Sequence, residues 1–254
     1  MKLAAQILPE IITKKLYGDR KKYGLVPIKG DADWLLWQKE CINFYNSTQI
    51  KGLGNYVNNA GYKVLNGIDL DGLTICEIGP GSLPHRKYWK GTPLKYIGID
   101  INQDFLDALP KKISCPCDAI KVEPDSKTLP LDDNSIDILL SFYSFEHLYP
   151  LNAYLDEYKR ILKPDGLILG AIPNEGGLAW GMGRFLTSRR WIHTNTQIDY
   201  DKIICWEHPN FADKILDEMN KRFIQKDISY FPSIGLPSIN LTLVTRFIYQ
   251  NCDV

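Results

Sequence analysis

The pattern of apolar positions changes character near residue 73. Upstream, residues 1 to 70 read as helical and irregular. There Trp34, Trp37, Cys41 and Phe44 fall on one helical face, and Tyr45 extends the aromatic group. Downstream, short apolar runs alternate with helical periodicity. Residues 73–78 form a buried-strand run closed by the tight turn Gly79-Pro80-Gly81. Residues 96–100 form a second run, and Phe105, Leu106 and Leu109 mark a short helix stopped by Pro110. Residues 136–141 are a third, strongly apolar run. Leu151, Tyr154, Leu155, Tyr158, Ile161 and Leu162 then recur at helical spacing, and Lys163-Pro164-Asp165-Gly166 closes that helix. Residues 167–172 read as the next strand. After a weakly periodic stretch over 173–209, Phe211, Ile215, Leu216, Met219 and Phe223 predict an amphipathic helix capped by Asn210. The chain closes on two strand-like runs, 224–231 and 239–250.

Strands alternating with helices predict a parallel α/β sheet. The last two runs have no helix between them, so they should pair antiparallel.

The composition is ordinary for a globular chain. The 254 residues fit one large domain, with or without a sizeable insertion, and 44% apolar residues are enough for a core without metal or disulfide staples. Thirty basic residues balance thirty acidic ones, so no whole-molecule field draws the chain to nucleic acid or to an anionic membrane. The cluster Lys14-Lys15 with Arg20-Lys21-Lys22 is the one local basic patch singled out, and it reads as solvated surface. Six scattered cysteines lack zinc spacing and read as free thiols in a reducing compartment. No apolar run is long enough for a membrane span, and residues 1–9 do not resemble a signal peptide; the expected location is cytoplasmic.

Chemistry concentrates at the strand ends. Glycines at 79 and 81 let the backbone approach a ligand closely. Asp100 ends the next strand, 23 residues after Glu77, where a carboxylate can accept both hydroxyls of a ribose. A dinucleotide turn needs a third glycine for the pyrophosphate, and Pro84 stands there instead. Glu77 would repel a pyrophosphate and suits a ligand with an amino group and a sulfonium.

From residue 70 to 173 the chain resembles the class I S-adenosylmethionine-dependent methyltransferases of the small-molecule type. The likeness rests on Cys76-Glu77-Ile78-Gly79-Pro80-Gly81, on Gly98-Ile99-Asp100-Ile101, on the loop and strand from Leu129 to Ser141, on Phe145-Glu146-His147-Leu148, and on the segment from Arg160 to Gly166. The resemblance implies a Rossmann-like α/β fold: a seven-stranded, mostly parallel sheet with an antiparallel C-terminal strand and helices on both faces. It divides the chain into an N-terminal helical cap region, 1–70, and a methyltransferase domain, 71–254, with a substrate-binding insertion at 173–209. It implies S-adenosylmethionine as cofactor, released as S-adenosylhomocysteine. Glu77, Gly79, Pro80 and Gly81 would floor its methionine end, Asp100 would hold the ribose, Ile101 would pack on the adenine, and Ser141 and Phe142 would touch the methionine part. The acidic residue that meets the adenine amino group is either Asp118, in the dipeptide Asp118-Ala119, or Asp125, which has the usual spacing to Leu129-Pro130.

Methyl transfer to a hydroxyl is helped by a general base, and His147 is the first candidate, ahead of His193 and His208. Glu146-His147 is similar to methyltransferases that hold a divalent metal, but Tyr143 replaces their upstream acid, so no metal is expected. The insertion is aromatic and basic, with Trp180, Arg184, Arg189, Trp191, His193, Trp206 and His208. With Asn174 and Glu175 it should bind a small polar acceptor, and it loosely resembles methyltransferases of surface-polysaccharide sugars or their phosphorylated precursors. A quinone or an amine is the alternative acceptor. The expected state is a monomer or homodimer without nucleic acid. A Rossmann oxidoreductase is opposed by Pro84 and Glu77, and a non-catalytic binding module by the full motif set.

Overall fold

The computed structural model describes residues 2–44, 52–233, 235 and 238–252; Tyr45 lies outside them. Strands β1 (Thr74–Ile78), β2 (Lys95–Asp100), β3 (Cys117–Lys121), β4 (Ile136–Phe142), β5 (Leu162–Pro173), β6 (Phe223–Phe231) and β7 (Val244–Asn251) form a seven-stranded sheet in the order β3-β2-β1-β4-β5-β7-β6. All neighbours are parallel except where β7 runs antiparallel to both β5 and β6. The mostly parallel sheet and its antiparallel C-terminal strand are as the sequence implied.

Helices cover both faces. One core layer joins Cys76, Ile78, Leu139, Ile168 and Phe247 to α7 (Leu151–Ile161) and α11 (Ala212–Asn220). The opposite layer joins Ile75, Tyr96, Leu140 and Phe142 to α5 (Gly52–Tyr62) and to Leu106 of α6 (Gln103–Ala108). Residues Val57, Tyr62, Val64 and Leu65 therefore belong to the core of the sheet rather than to a separate cap.

The remaining N-terminal helices are α1 (Ala4–Ile7), α2 (Glu10–Tyr17), α3 (Arg20–Tyr23) and α4 (Ala32–Phe44). They pack against the insertion, which differs from its weak periodicity by being helical: α8 (Leu178–Arg184), a π-helical turn over Phe185–Arg189, α9 (Arg190–Asn195) and α10 (Tyr200–Glu207). Trp37 is buried with Ile192, Ile203, Ile204 and Trp206, and Trp34, Cys41 and Phe44 pack on that cluster. The face predicted for Trp34, Trp37, Cys41 and Phe44 is thus real, and its partner is the insertion. Helices such as α10, with five buried residues among eight, are enclosed on several sides, which erases a one-sided pattern.

Three boundaries differ from the sequence reading. The half-exposed edge strand β3 has no apolar run to announce it. Strand β5 begins at Leu162, so Lys163 to Gly166 lie within it rather than before it, with Asp165 at φ 62°. Strand β7 starts at Val244, because Thr242 and Leu241 turn back onto Ser238.

Gly170 sits where β5 meets β4, and a Cβ there would collide with the backbone carbonyl of Ser141. Gly170→Ala is therefore expected to destabilise the chain by roughly 1–3 kcal/mol, because the obstacle is backbone and cannot rotate away. Urea titration checks this; an unchanged midpoint would contradict the packing described.

Candidate active site

In a doubly wound sheet a ligand sits beyond the carboxyl ends of the strands, where the crossovers reverse. Here that point lies between β1 and β4. A cavity of about 800 Å³ opens there, floored by the turn after β1 and roofed by α4 and residues of α8 to α10.

The floor depends on two left-handed glycines, Gly79 at φ 68° and Gly81 at φ 51°. A Cβ on Gly79 would lie 2.6 Å from Ser144 Oγ, which donates to the carbonyl of Ile78 at 3.0 Å. Asp100 accepts the amide of Gly81 at 3.3 Å on one oxygen and that of Asn102 at 2.9 Å on the other. Burial raises its pKa above the ordinary carboxylate value, against the pull of those amides.

Glu77 is 1% exposed. Its two oxygens accept His85 Nε2 at 2.7 Å and the Tyr96 hydroxyl at 2.5 Å. Trp89 Nε1 donates to His85 Nδ1 at 3.0 Å, so the ring proton sits on Nε2, facing Glu77. Burial, then Glu77, keeps Tyr96 protonated by pushing its pKa far up. Sequence reasoning missed His85. Its one signal was a histidine just after the glycine turn, eight residues past Glu77.

Of the proposed cofactor contacts, Glu77, Gly79, Pro80, Gly81, Asp100, Ile101, Asp125 and Phe142 line the cavity. Ile101 is 55% exposed at its rim, an unpaired apolar surface fit for a planar base. Three do not line it. Asp118 and Ala119 lie inside β3 rather than after it, and Asp118 pairs with Lys95 at 2.6 Å. Ser141 alternates away from Leu140 and Phe142 onto the opposite face of the sheet. Of the two candidate acids Asp125 lines the cavity and Asp118 does not, and Ser144 lines it where Ser141 does not.

The part of the cavity lined by Glu146, His147, Glu207 and His208 is acidic and imidazole-rich. His147 Nδ1 donates to the carbonyl of Glu207 at 2.7 Å, leaving Nε2 free, 3.9 Å from Glu146 Oε1. Burial lowers the His147 pKa, but Glu146 and Glu207 outweigh it and the net shift is upward. Glu146 is 2% exposed, and its Oε2 meets no partner among the described residues. Burial lifts its pKa to about 7. His208 packs edge-on against His147, with ring centroids 4.7 Å apart.

Among the substrate residues expected from sequence, only His208 lines the cavity. Asn174 is fully buried and bonds Thr242 and Thr245 at 2.6 Å each, stitching β5 to β7. Glu175 is fully buried beneath the cavity, where one oxygen takes Trp180 Nε1 at 2.7 Å together with Arg184 and His208. Arg189 is turned onto Asp201, Trp191 packs on Phe44, and His193 is exposed on α9. Trp180, Arg184 and Trp206 of the insertion do face the cavity. His147, Glu207 and His208 form a group of metal-ligating type, with Arg184 adding a positive charge 3.5 Å from His208 Nδ1.

This sheet order, with a glycine turn after the first strand and an acid ending the second, defines the class I methyltransferase architecture. Residues 76–170 match the family described as "Methyltransferase domain", and that stretch of the chain is such a domain. A phthiotriol/phenolphthiotriol dimycocerosates methyltransferase of Mycobacterium tuberculosis is 31% identical over 127 residues, covering 48% of this chain and 46% of the relative. The fatty-acid O-methyltransferase of Mycolicibacterium smegmatis is 31% identical over 104 residues, covering 40% and 37%. The chain thus spans less than half the length of these curated relatives. Among solved structures, the cyclase SpnF aligns over 91% of this chain and 99% of its own at TM-score 0.56 and 13% identity. An S-adenosylmethionine-dependent methyltransferase from Mesorhizobium loti aligns over 75% and 95% at TM-score 0.53 and 14% identity. These likenesses carry the fold, and a cyclase among them shows why the site must carry the chemistry.

Two predictions follow from this geometry. Asp100→Ala should weaken S-adenosylhomocysteine binding about 10- to 100-fold, the range for hydrogen bonds to a charged group. Asp118→Ala should leave it unchanged; calorimetric titration decides, and the reverse ranking would contradict the assignment. The second concerns Glu146. Between the ordinary carboxyl value of 4.5 and about 7, the folded chain holds a proton that the unfolded chain releases. Stability therefore falls as pH rises through that window. Glu146→Gln should flatten the fall and leave the unliganded protein more stable than the parent at pH 8, by roughly 1–3 kcal/mol. Equal pH slopes for the two proteins would contradict the burial of an unpaired carboxyl.

Proposed function

We propose that this protein transfers a methyl group from S-adenosylmethionine to a hydroxyl on an acceptor with an apolar body. The carrying observation is the division of the cavity. Its lining sets Glu146, His147 and His208 beside an apolar wall of Leu25, Val26, Trp34, Trp37, Ile42 and Phe44. A volume of about 800 Å³ lies high in the range of roughly 300–1,000 Å³ for ligand cavities, ample for a cofactor beside an acceptor.

The floor fits the cofactor on the chain's own geometry. The bare backbone of Gly79 and Gly81, the Asp100 carboxylate at the cavity edge, and the negative charge of Glu77 suit a ribose and a cationic methionine end. When bound, S-adenosylmethionine supplies an electrophilic methyl on sulfur. The protein orients the acceptor and handles its proton. Because Nδ1–H of His147 is held by the Glu207 carbonyl, Nε2 carries the lone pair that can take the proton of a hydroxyl. Glu146 beside it steadies the imidazolium that results.

The sugar or anionic precursor expected from the insertion's basic residues loses its support here. Arg184 is committed to Glu175 and Arg189 to Asp201, while His193 and Arg190 point outward. Glu146 and Glu207 disfavour an anionic acceptor. The apolar wall and the lipid-like substrates in the names of the two curated relatives support an acceptor with a hydrocarbon body.

His147→Ala should lower kcat/KM about 10²- to 10⁴-fold while S-adenosylhomocysteine affinity holds. In the parent, activity should rise with pH through a value above the ordinary histidine 6.5, because Glu146 and Glu207 raise the His147 pKa, and this limb should vanish in the variant. The acceptors compared are long-chain alcohols, hydroxylated glycolipids and nucleotide sugars. Turnover confined to nucleotide sugars, or full turnover in His147→Ala, would overturn the reading.

A further inference from the structure

We infer that the cap formed by the N-terminal helices and the α8 segment is a docking face for an anionic lipid bilayer, from which an apolar acceptor enters the cavity. The entry of an acceptor rests on the proposed function; the docking does not.

Exposed large apolar side chains are concentrated on the cap. Among the described residues, twelve of eighteen such side chains lie within residues 2–44 and 178–186. They gather on adjoining elements. The Tyr17 hydroxyl at the end of α2 donates to Gly177 at 3.0 Å, and Arg184 of α8 donates to the Leu16 carbonyl at 3.1 Å. With those inner faces joined, the outer faces carry Ile11 at 69% exposure, Ile12, Met182 and Leu186 at 63%. The apolar surface also reaches the cavity. Val26 and Ile42 are 56% and 42% exposed, yet both line it.

Charge selects the partner. Residues 1–44 hold eight basic and five acidic side chains, and residues 178–190 hold three arginines and no acid. The cap therefore carries +6 and the rest of the chain −6, although the whole sums to zero. Arg184 and Arg189 are neutralised by Glu175 and Asp201, and Asp31 and Asp33 by Lys202. Lys15, Lys22 and Arg190 remain at the surface, and the exposed Lys21 shares Glu10 with Lys14. The basic cluster that the sequence left as mere solvated surface thus borders the exposed isoleucines of α2. Apolar side chains flanked by lysines bind the interface of an anionic bilayer: the chains enter the headgroup boundary, and the lysines are attracted to the anionic headgroups. No helix among the described residues is long and apolar enough to cross a membrane.

The test is flotation of the full chain with vesicles of phosphatidylcholine alone and of phosphatidylcholine with phosphatidylglycerol, at low and high salt. Binding is expected on the anionic vesicles and should weaken with salt. The double substitution Ile11→Asp with Ile12→Asp, and separately Lys15→Glu with Lys21→Glu and Lys22→Glu, should each weaken it at least about tenfold while melting temperature and S-adenosylhomocysteine affinity hold. Equal binding to both vesicle types, or variants that bind as the parent does, would overturn the proposal. So would a parent dimer, seen by sedimentation velocity, that Ile11→Asp converts to monomer without any vesicle binding. Vesicle binding with no methylation of any hydroxylated lipid would instead leave the docking intact and remove the functional reading.

Discussion

One buried carboxylate joins the roof of the site to its sheet. Glu175 follows the end of β5, and Trp180 and Arg184 of α8 and His208 after α10 all converge on it. Burial alone would raise its pKa, but Arg184 and then His208 pull it down to about 2, so it stays ionised. A buried charge in an apolar surrounding is costly unless paired, and this one is paired by groups from two helices of the insertion. Arg184 extends the connection to the N-terminal helices through the carbonyl of Leu16. The roofed side of the cavity, with His147 and His208, exists because these elements are held together.

The cofactor side rests on a different constraint, the close approach of backbone. Gly79 leaves room for Ser144, and Gly98 leaves room for Leu109 beneath β2. Glu77, His85 and Tyr96 form a buried polar chain under the turn, anchored by Trp89. Such a network is stable only when its members are satisfied, and its convergence below a ligand floor sets the position of the turn. The two halves therefore have separate origins: the floor from the sheet and its glycines, the roof from a charged knot between segments far apart in sequence.

That separation explains what could be read beforehand. Strands β1, β2, β4 and the final antiparallel pair were legible because buried parallel strands are continuous apolar runs and short connections forbid a crossover. The floor was legible because Glu77, Gly79, Gly81 and Asp100 lie at strand ends in fixed order. The edge strand β3 carries no such signal. The roles of Asn174, Glu175 and Arg189 were not legible, since a polar residue after a strand looks alike whether it meets a ligand or a partner such as Thr242, Arg184 or Asp201. Pairing across long sequence distances decided those roles, and it is one ground on which an apolar acceptor is proposed in place of a sugar.

In the proposed mechanism the turn at residues 77–81 and the His147 side of the cavity face one another across a bound cofactor. A crystal structure with S-adenosylhomocysteine tests it most directly. The expected result is the ribose on Asp100, the adenine against Ile101 and Asp125, and the sulfur turned towards His147 Nε2 with room for a hydroxyl between them. A cofactor held elsewhere, or a sulfur turned away from His147, would contradict it.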